Sequence, residues 1–455
     1  MKKIIFLLFI ALFFGCSDDL DDVLQVDSNE NLEVEDFLYK VMNYAYYWQG
    51  DVPNLADDKF SNNKDYTAFL QSFEGPKDLF QGVLFNEDVY SRVYDDYEAY
   101  EDRKRGVTVG NGMNFGLVRM SNSDSYIYGY VQYVLPNSEA STKGISRGDV
   151  FTHVDGVQLT LDNYRALLFS NTATYTINSA TIENDLIQDT GLSITLNNSE
   201  LTENSVYLSK VITHNEIKVG YIMYNGFVNA QEDDVKAAFT SFQTQQLDEL
   251  VVDLRYNPGG SVVTAQLLAG LIAGEHSGKV FAKVEYTEKQ RANNAEIAIT
   301  NTNTQLGLSR VFFLTTKNAA SASEMLINGL SPYITTIHIG DKTAGKDVGA
   351  TEFYDYIARN TLNPNHKYVA IPITFKIYNG EGVGDYSDGL TPDIQLPEVL
   401  SNLGVLGEPD EPLLKKALEI ISGETSVTSS HLENDISPLN QIQVKEGSAI
   451  FNLTN

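Results

Sequence analysis

The chain has 455 residues, 61 of them acidic against 32 Lys plus Arg, with a single cysteine and 42% hydrophobic composition. At about 100 to 200 residues per domain this allows two to four domains with ample core, and it excludes a disordered polymer or a disulfide-stapled peptide. A formal charge of −29 (32 minus 61) excludes a nucleic-acid partner, whose phosphates need clustered Lys and Arg. No spaced Asp/Asn/Gly calcium loop is present and one cysteine cannot build a thiolate zinc site, so neither metal nor cofactor is implied.

Lys2 and Lys3 precede an apolar run from Ile4 to Phe14, then Gly15 and Cys16. The run is too short to span a bilayer and reads as a leader. A small residue before a lone cysteine resembles a bacterial lipoprotein signal, which implies lipidation at Cys16 after removal of residues 1–15 and hence an envelope-anchored protein, outer membrane and surface included. The alternative is an ordinary secretory signal with a free thiol. Residues 16–31 hold Ser17-Asp18-Asp19-Leu20-Asp21-Asp22 and no Lys or Arg, a solvated tether. The acidic run beside the cysteine is similar to surface-export tags of Bacteroidetes lipoproteins.

Over 32–105, Phe37, Leu38, Val41, Met42, Tyr44, Ala45 and Trp48 recur at spacings of three and four, which predicts helical structure with an apolar stripe for packing. The texture changes near Gly106. Strand-like runs at Phe115–Met120 and Tyr126–Val134 precede the turn Ser138–Ala140, the segment Gly144-Ile145-Ser146-Arg147-Gly148-Asp149 and the Asp155-Gly156 turn. Residues 106–205 resemble a PDZ domain, in which Asn114, Phe115, Gly116 and Leu117 are the loop that holds a peptide's terminal carboxylate. That implies a partner with a free C-terminus, added as a strand.

From Lys218 strands and helices alternate: strands over 219–227, 250–255, 311–315 and 335–339, helices over 233–242, 261–273 and 322–330. Such alternation predicts an α/β core with a mostly parallel sheet, whose sites form beyond the carboxyl ends of the strands. Three segments sit there: Tyr256-Asn257-Pro258-Gly259-Gly260, Asn318-Ala319-Ala320-Ser321-Ala322-Ser323-Glu324 and Asp341-Lys342-Thr343-Ala344-Gly345-Lys346. Ser321 stands where a strand hands over to a helix, near free amides and the positive end of the helix dipole. The amides of Gly259 and Ala322 are candidate oxyanion donors. No histidine falls in these segments, which leaves Lys346 as the candidate base, provided that it is deprotonated. Ser321-x-x-Glu324 also fits a helix capping box, Asn257–Gly260 a plain turn, and Lys346 a solvated lysine.

Asp253-Leu254-Arg255-Tyr256-Asn257-Pro258-Gly259-Gly260, Ala320-Ser321-Ala322-Ser323-Glu324 and Gly340-Asp341-Lys342-Thr343-Ala344-Gly345-Lys346, in this order and with Ser321 and Lys346 25 positions apart (346 minus 321), resemble the signature of C-terminal processing (tail-specific) proteases. Gly384–Gly389 with Thr391-Pro392-Asp393 is similar to the end of that family's catalytic core, placed at 206–423, with a tail of unassigned role at 424–455. The resemblance implies Ser321 as nucleophile, Lys346 as general base, Gly259 and Ala322 as oxyanion hole, and unfolded or tailed proteins as substrates. Family members often carry a glutamine four residues after the lysine; here that position is Ala350. A Ser/Lys dyad is expected, and the rival is a catalytically inactive, peptide-binding scaffold.

Overall fold

A computed structural model of the chain describes residues 24–26 and 31–425, apart from 122, 171, 184 and 185. The leader, Cys16, most of the tether and the tail beyond residue 425 lie outside the described residues. No helix among the described residues is long and apolar enough to cross a membrane. The chain divides into two units, one of residues 1–100, 286–292 and 350–375, the other of 101–285, 293–349 and 376–455.

In the first unit the apolar stripe forms helix Glu33–Ala45 (α1), which opens on Glu33, Glu35 and Asp36 and buries Leu38, Tyr39, Val41, Met42 and Ala45. Acidic side chains at its start favour the positive helix end. Trp48 lies past the helix and stacks on Phe85 at 5.7 Å, while the buried Tyr46 hydroxyl donates to Asp88 Oδ2 at 2.7 Å. The aromatic cluster is core. Residues 350–375, read from sequence as part of the catalytic core, group with this unit because Val369–Ile371 pairs antiparallel with Arg92–Tyr94 and with Phe353–Tyr354.

The second unit holds a small antiparallel β domain and an α/β body. In the β domain, ribbon Val107–Gly110 (β1) with Ser199–Thr202 leads into strands Met113–Arg119 (β2), Ile127–Val134 (β3), Val150–Val154 (β4), Thr174–Glu183 (β5) and Leu186–Asn197 (β6), paired in that order. Phe115, Leu117, Ile127, Val131, Phe151 and Ile177 fill its core beneath helix Tyr164–Leu168 (α2). Asn114, Phe115, Gly116 and Leu117, expected in a loop, lie on β2, the edge strand of the sheet. Asn111-Gly112 connects β1 to β2, where Gly112 has φ +86° and Asn111 Oδ1 accepts from Met113 N at 3.1 Å. A side chain at Gly116 would meet the Tyr130 ring at 2.4 Å, so this position serves packing.

The body is a six-stranded sheet of Val206–His214 (β7), Ile217–Tyr224 (β8), Glu249–Asp253 (β9), Arg310–Thr315 (β10), Thr335–Gly340 (β11) and Ile394–Gln395 (β12), in that spatial order. The β7–β8 pair is antiparallel across an Asn215-Glu216 turn with φ of +48° and +67°; every other pairing is parallel. The parallel strands carry apolar runs because both faces are covered. Helix Pro412–Ile421 packs Leu413, Leu414, Ala417 and Leu418 on a face with Val251, Phe312 and Ile337. Helix Ala322–Leu330 (α3) is buried along its whole length.

Where the β domain joins the body, a small cavity is lined by Gly106, Val107, Glu203, Ser205, Asn225 and Val228 among others. Burial pushes the Glu203 carboxyl up to about 7 against hydrogen bonds from Tyr133 and Asn225. The unfolded chain therefore ionises Glu203 near 4.5 while the folded one still holds the proton, so its contribution to stability falls between about pH 4.5 and pH 7, by about 3 kcal/mol. Urea midpoints of wild type and Glu203→Gln should diverge across that window, the wild type losing stability relative to the variant as pH rises. Parallel curves from pH 4.5 to 8 would contradict this.

Candidate active site

The three strand-end segments converge on one another through backbone hydrogen bonds. Leu254 N donates to Leu314 O at 2.8 Å, Ala320 N to Asn257 O at 3.1 Å and Ala344 N to Ala319 O at 2.9 Å. Ser323 Oγ adds a second bond to Asn257 O at 3.0 Å. The segment after β9 is thus laced to the segment after β10, and that one to the segment after β11.

Ser321 is the residue before helix α3 and has φ +56°, ψ −112°, a conformation that a side chain strains to adopt. Such strain costs on the order of 1–3 kcal/mol and persists where surrounding bonds enforce it. Glu324 enforces it. Its buried carboxylate accepts from Ser321 N (2.8 Å) and Lys346 N (2.8 Å) on Oε2, and from Gly345 N (2.7 Å) and Thr343 Oγ1 (2.6 Å) on Oε1. The capping pair read from the sequence is present, but the same carboxylate also fixes the backbone of Lys346. One side chain therefore sets the positions of both expected dyad residues.

Gly259, at φ +104°, lies against the serine: a Cβ there would sit 2.7 Å from Ser321 Cβ and 2.9 Å from Ala322 N. Glycine is required by both conformation and space. Its amide, expected to be an oxyanion donor, is already engaged, donating to Asn257 Oδ1 at 2.8 Å in a side-chain turn that spans Pro258. No described residue accepts from the amides of Gly260 or Ala322. The loop is also pinned from behind, since Phe227 N donates to Gly259 O (2.9 Å) and Ser261 N to Phe227 O (2.8 Å). His338 is buried in β11 with Nε2 on Thr315 Oγ1, and burial lowers its pKa to about 4. It is a neutral structural ring.

Residues 218–396 match peptidase family S41, and residues 33–96 match the N-terminal domain of S41 peptidases. The chain belongs to peptidase family S41. It is 25% identical over 451 residues to a probable CtpA-like serine protease of Staphylococcus aureus, covering 93% of this chain and 79% of that one. A putative S41 protease from Bacteroides fragilis shares 28% identity and a TM-score of 0.67 over 86% of this chain and 97% of that one. The photosystem II D1 C-terminal processing protease shares the fold, at 18% identity and a TM-score of 0.53 over 87% and 99% of the two chains.

In this S41 chain a buried ion network that the sequence reading missed supports the Asn257–Gly260 loop. Arg255, fully buried, meets Asp253 (2.7 Å), Glu398 (3.0 Å) and Glu411 (2.7 Å). Arg147 of the β domain donates to Glu398 Oε1 (2.6 Å), Tyr256 OH (2.5 Å) and Gln132 O (2.7 Å). Burial alone would raise the Glu398 pKa, but the two guanidiniums outweigh it and hold the carboxyl below its usual range. Arg255 and Asp253 were visible as part of a motif; Glu398 and Glu411 had no sequence signal, being polar residues 143 and 156 positions away from Arg255.

Removing Arg255 strands carboxylates in a dry site, a class of change that costs about 3–5 kcal/mol. Arg255→Ala should accordingly lower the unfolding free energy from chemical denaturation by that amount, with peptidase activity lost in parallel. A variant within about 1 kcal/mol of wild type would mean that removing Arg255 does not strand the carboxylates in a dry site.

Proposed function

We propose that this S41 peptidase is an endopeptidase that engages protein C-termini and cuts with a Ser321/Lys346 dyad. The observation that carries the reading is the Glu324 carboxylate bonded to the backbone amides of both Ser321 and Lys346, with Ser321 held at positive φ. Neutral Lys346 Nζ takes the Ser321 proton as Oγ attacks the scissile carbonyl. The amides of Ala322 and Gly260, which have no acceptor among the described residues, take the oxyanion, Gly260 in place of the Gly259 that the resemblance implies beside Ala322. The lysine ammonium then protonates the departing amine, and water, activated by the same lysine, releases the acyl group.

The β domain is assigned to substrate capture as a PDZ-like module. In support, β2 is an edge strand unpaired on one side among the described residues, α2 lies in the same domain, and Asn114 Oδ1 is buried without a partner among those residues. An envelope location through lipidated Cys16 belongs to the same reading and rests on the leader sequence alone. The rival reading, a scaffold that binds tails without cutting, draws on Ala350 in place of the family's glutamine; cleavage of a substrate decides between the two.

Ser321→Ala and Lys346→Ala should each reduce cleavage of an unfolded, tailed protein by about 10³-fold or more while leaving the melting temperature near wild type. Wild-type activity should rise with pH, because only the deprotonated amine accepts the serine proton. Lys346→Ala cutting at the wild-type rate would refute the dyad. Amidating the substrate's C-terminus should raise KM about tenfold, the loss of roughly one charge-assisted hydrogen bond. Indifference to amidation would place selectivity in the catalytic cleft.

A further inference from the structure

Tyr386 is a buried residue whose hydroxyl has no partner among the described residues. Native proteins rarely leave a buried hydroxyl unpaired, and an orphan of this kind calls for an explanation. Its place in the fold supplies one. The turn that carries it closes with Gly389 N donating to Tyr386 O at 2.7 Å and packs directly on the segment that ends in Lys346. A Cβ on Gly345 would lie 2.1 Å from Ser387 O and 2.7 Å from Gly389 N. Leu390 N donates to Thr343 Oγ1 at 2.7 Å, and Thr343 N to Leu390 O at 3.2 Å.

The charges of Glu324 and Asp347 act on the phenol. Glu324 has two donors on each oxygen. Asp347 pairs with Lys376 at 3.5 Å, and Lys376 also with Asp385 at 2.8 Å. These carboxylates are committed, whereas the phenolic oxygen is open. Burial, reinforced by the charges of Glu324 and Asp347, keeps the phenol protonated well beyond its ordinary range.

We propose that Tyr386 is a positioning residue for Lys346, its phenolic oxygen accepting an N–H of the ammonium that forms when Lys346 takes the Ser321 proton. The proton passes from Ser321 Oγ to Lys346 Nζ and on to the leaving amine, and Tyr386 keeps its own proton throughout. The bond is made only once the ammonium exists, so it acts on kcat rather than on KM. It fills the orienting role that Ala350 cannot serve. The inference rests on the Ser321/Lys346 reading above.

The test is Tyr386→Phe in the full chain, assayed on a tailed protein substrate beside Ser321→Ala. Plateau kcat should fall about tenfold to a hundredfold, the range for groups that orient a reactive side chain, with KM within about twofold. Loss of an acceptor for the ammonium lowers the lysine pKa, so the rise of rate with pH should move to lower pH even as the plateau drops. The melting temperature should be equal or higher, because the substitution removes an unpaired hydroxyl and orphans nothing. An unchanged plateau with an unmoved pH profile, or a drop in rate matched by a drop in melting temperature, would overturn the inference. If wild type cuts and Ser321→Ala does not, either of those results overturns the role of Tyr386 alone; wild-type protein that cuts nothing overturns the dyad reading and this one with it.

Discussion

The carboxylate of Glu324 is the point on which the site depends. Four donors from two segments converge on its two oxygens, and only an ionised carboxylate has lone pairs for all of them. Burial pulls its pKa upward and the bonds from Thr343, Gly345, Lys346 and Ser321 oppose that pull. The charge is tolerated because it is fully hydrogen-bonded, and moving any one donor would leave an acceptor exposed to a dry interior. The strained backbone of Ser321 is therefore locked by the same group that orders the Lys346 segment.

Behind the Asn257–Gly260 loop the balance differs. Arg147 and Arg255 face Asp253, Glu398 and Glu411, with Tyr221 OH on Asp253 at 2.7 Å and Tyr256 OH on Glu398 at 2.8 Å. Burying such a set costs desolvation that a hydrophobic replacement would avoid, so its net stabilisation is small. What it supplies is register. Tyr256 cannot shift without breaking bonds to Arg147 and Glu398, and Asn257, the next residue, holds both the Gly259 amide and, through Nδ2, Tyr224 O at 2.7 Å. The Asn257–Gly260 loop is preorganised from its rear.

The parts of this arrangement legible in the sequence are those written in consecutive residues. Buried parallel strands leave apolar runs at 250–254 and 311–315, and the glycines and Ser321 that follow them mark the strand ends. Helix α3 was legible through its capping pair. Long-range partners were not: Glu398 and Glu411 reach Arg255 across the chain, and Val369–Ile371 joins Arg92–Tyr94 within the first unit from the far end of the sequence. The β7–β8 hairpin turns on Asn215-Glu216, a pair without the glycine that usually marks such a turn, so its positive-φ residues gave no signal. Gly259 is legible as a position for close approach, whereas the bond from its amide to Asn257 Oδ1 was not, because that acceptor is a side chain in the same short turn.

The segment Gly144–Asp149 shows how one short motif serves two levels of structure. Gly148, at φ +91°, and the bond from Ser146 N to Asp149 Oδ2 at 2.8 Å build the turn, a purely local matter. The turn then projects Arg147, nearly buried, to Glu398, Tyr256 and the carbonyl of Leu403 at 3.2 Å. A guanidinium is suited to this because its fixed fork can meet several acceptors at once, which a lysine's single ammonium on a flexible stem would do with less geometric definition. The β domain is thus joined to the body by hydrogen bonds that end one residue short of Asn257, so whatever orders that turn also orders the residue that orients the Gly259 amide.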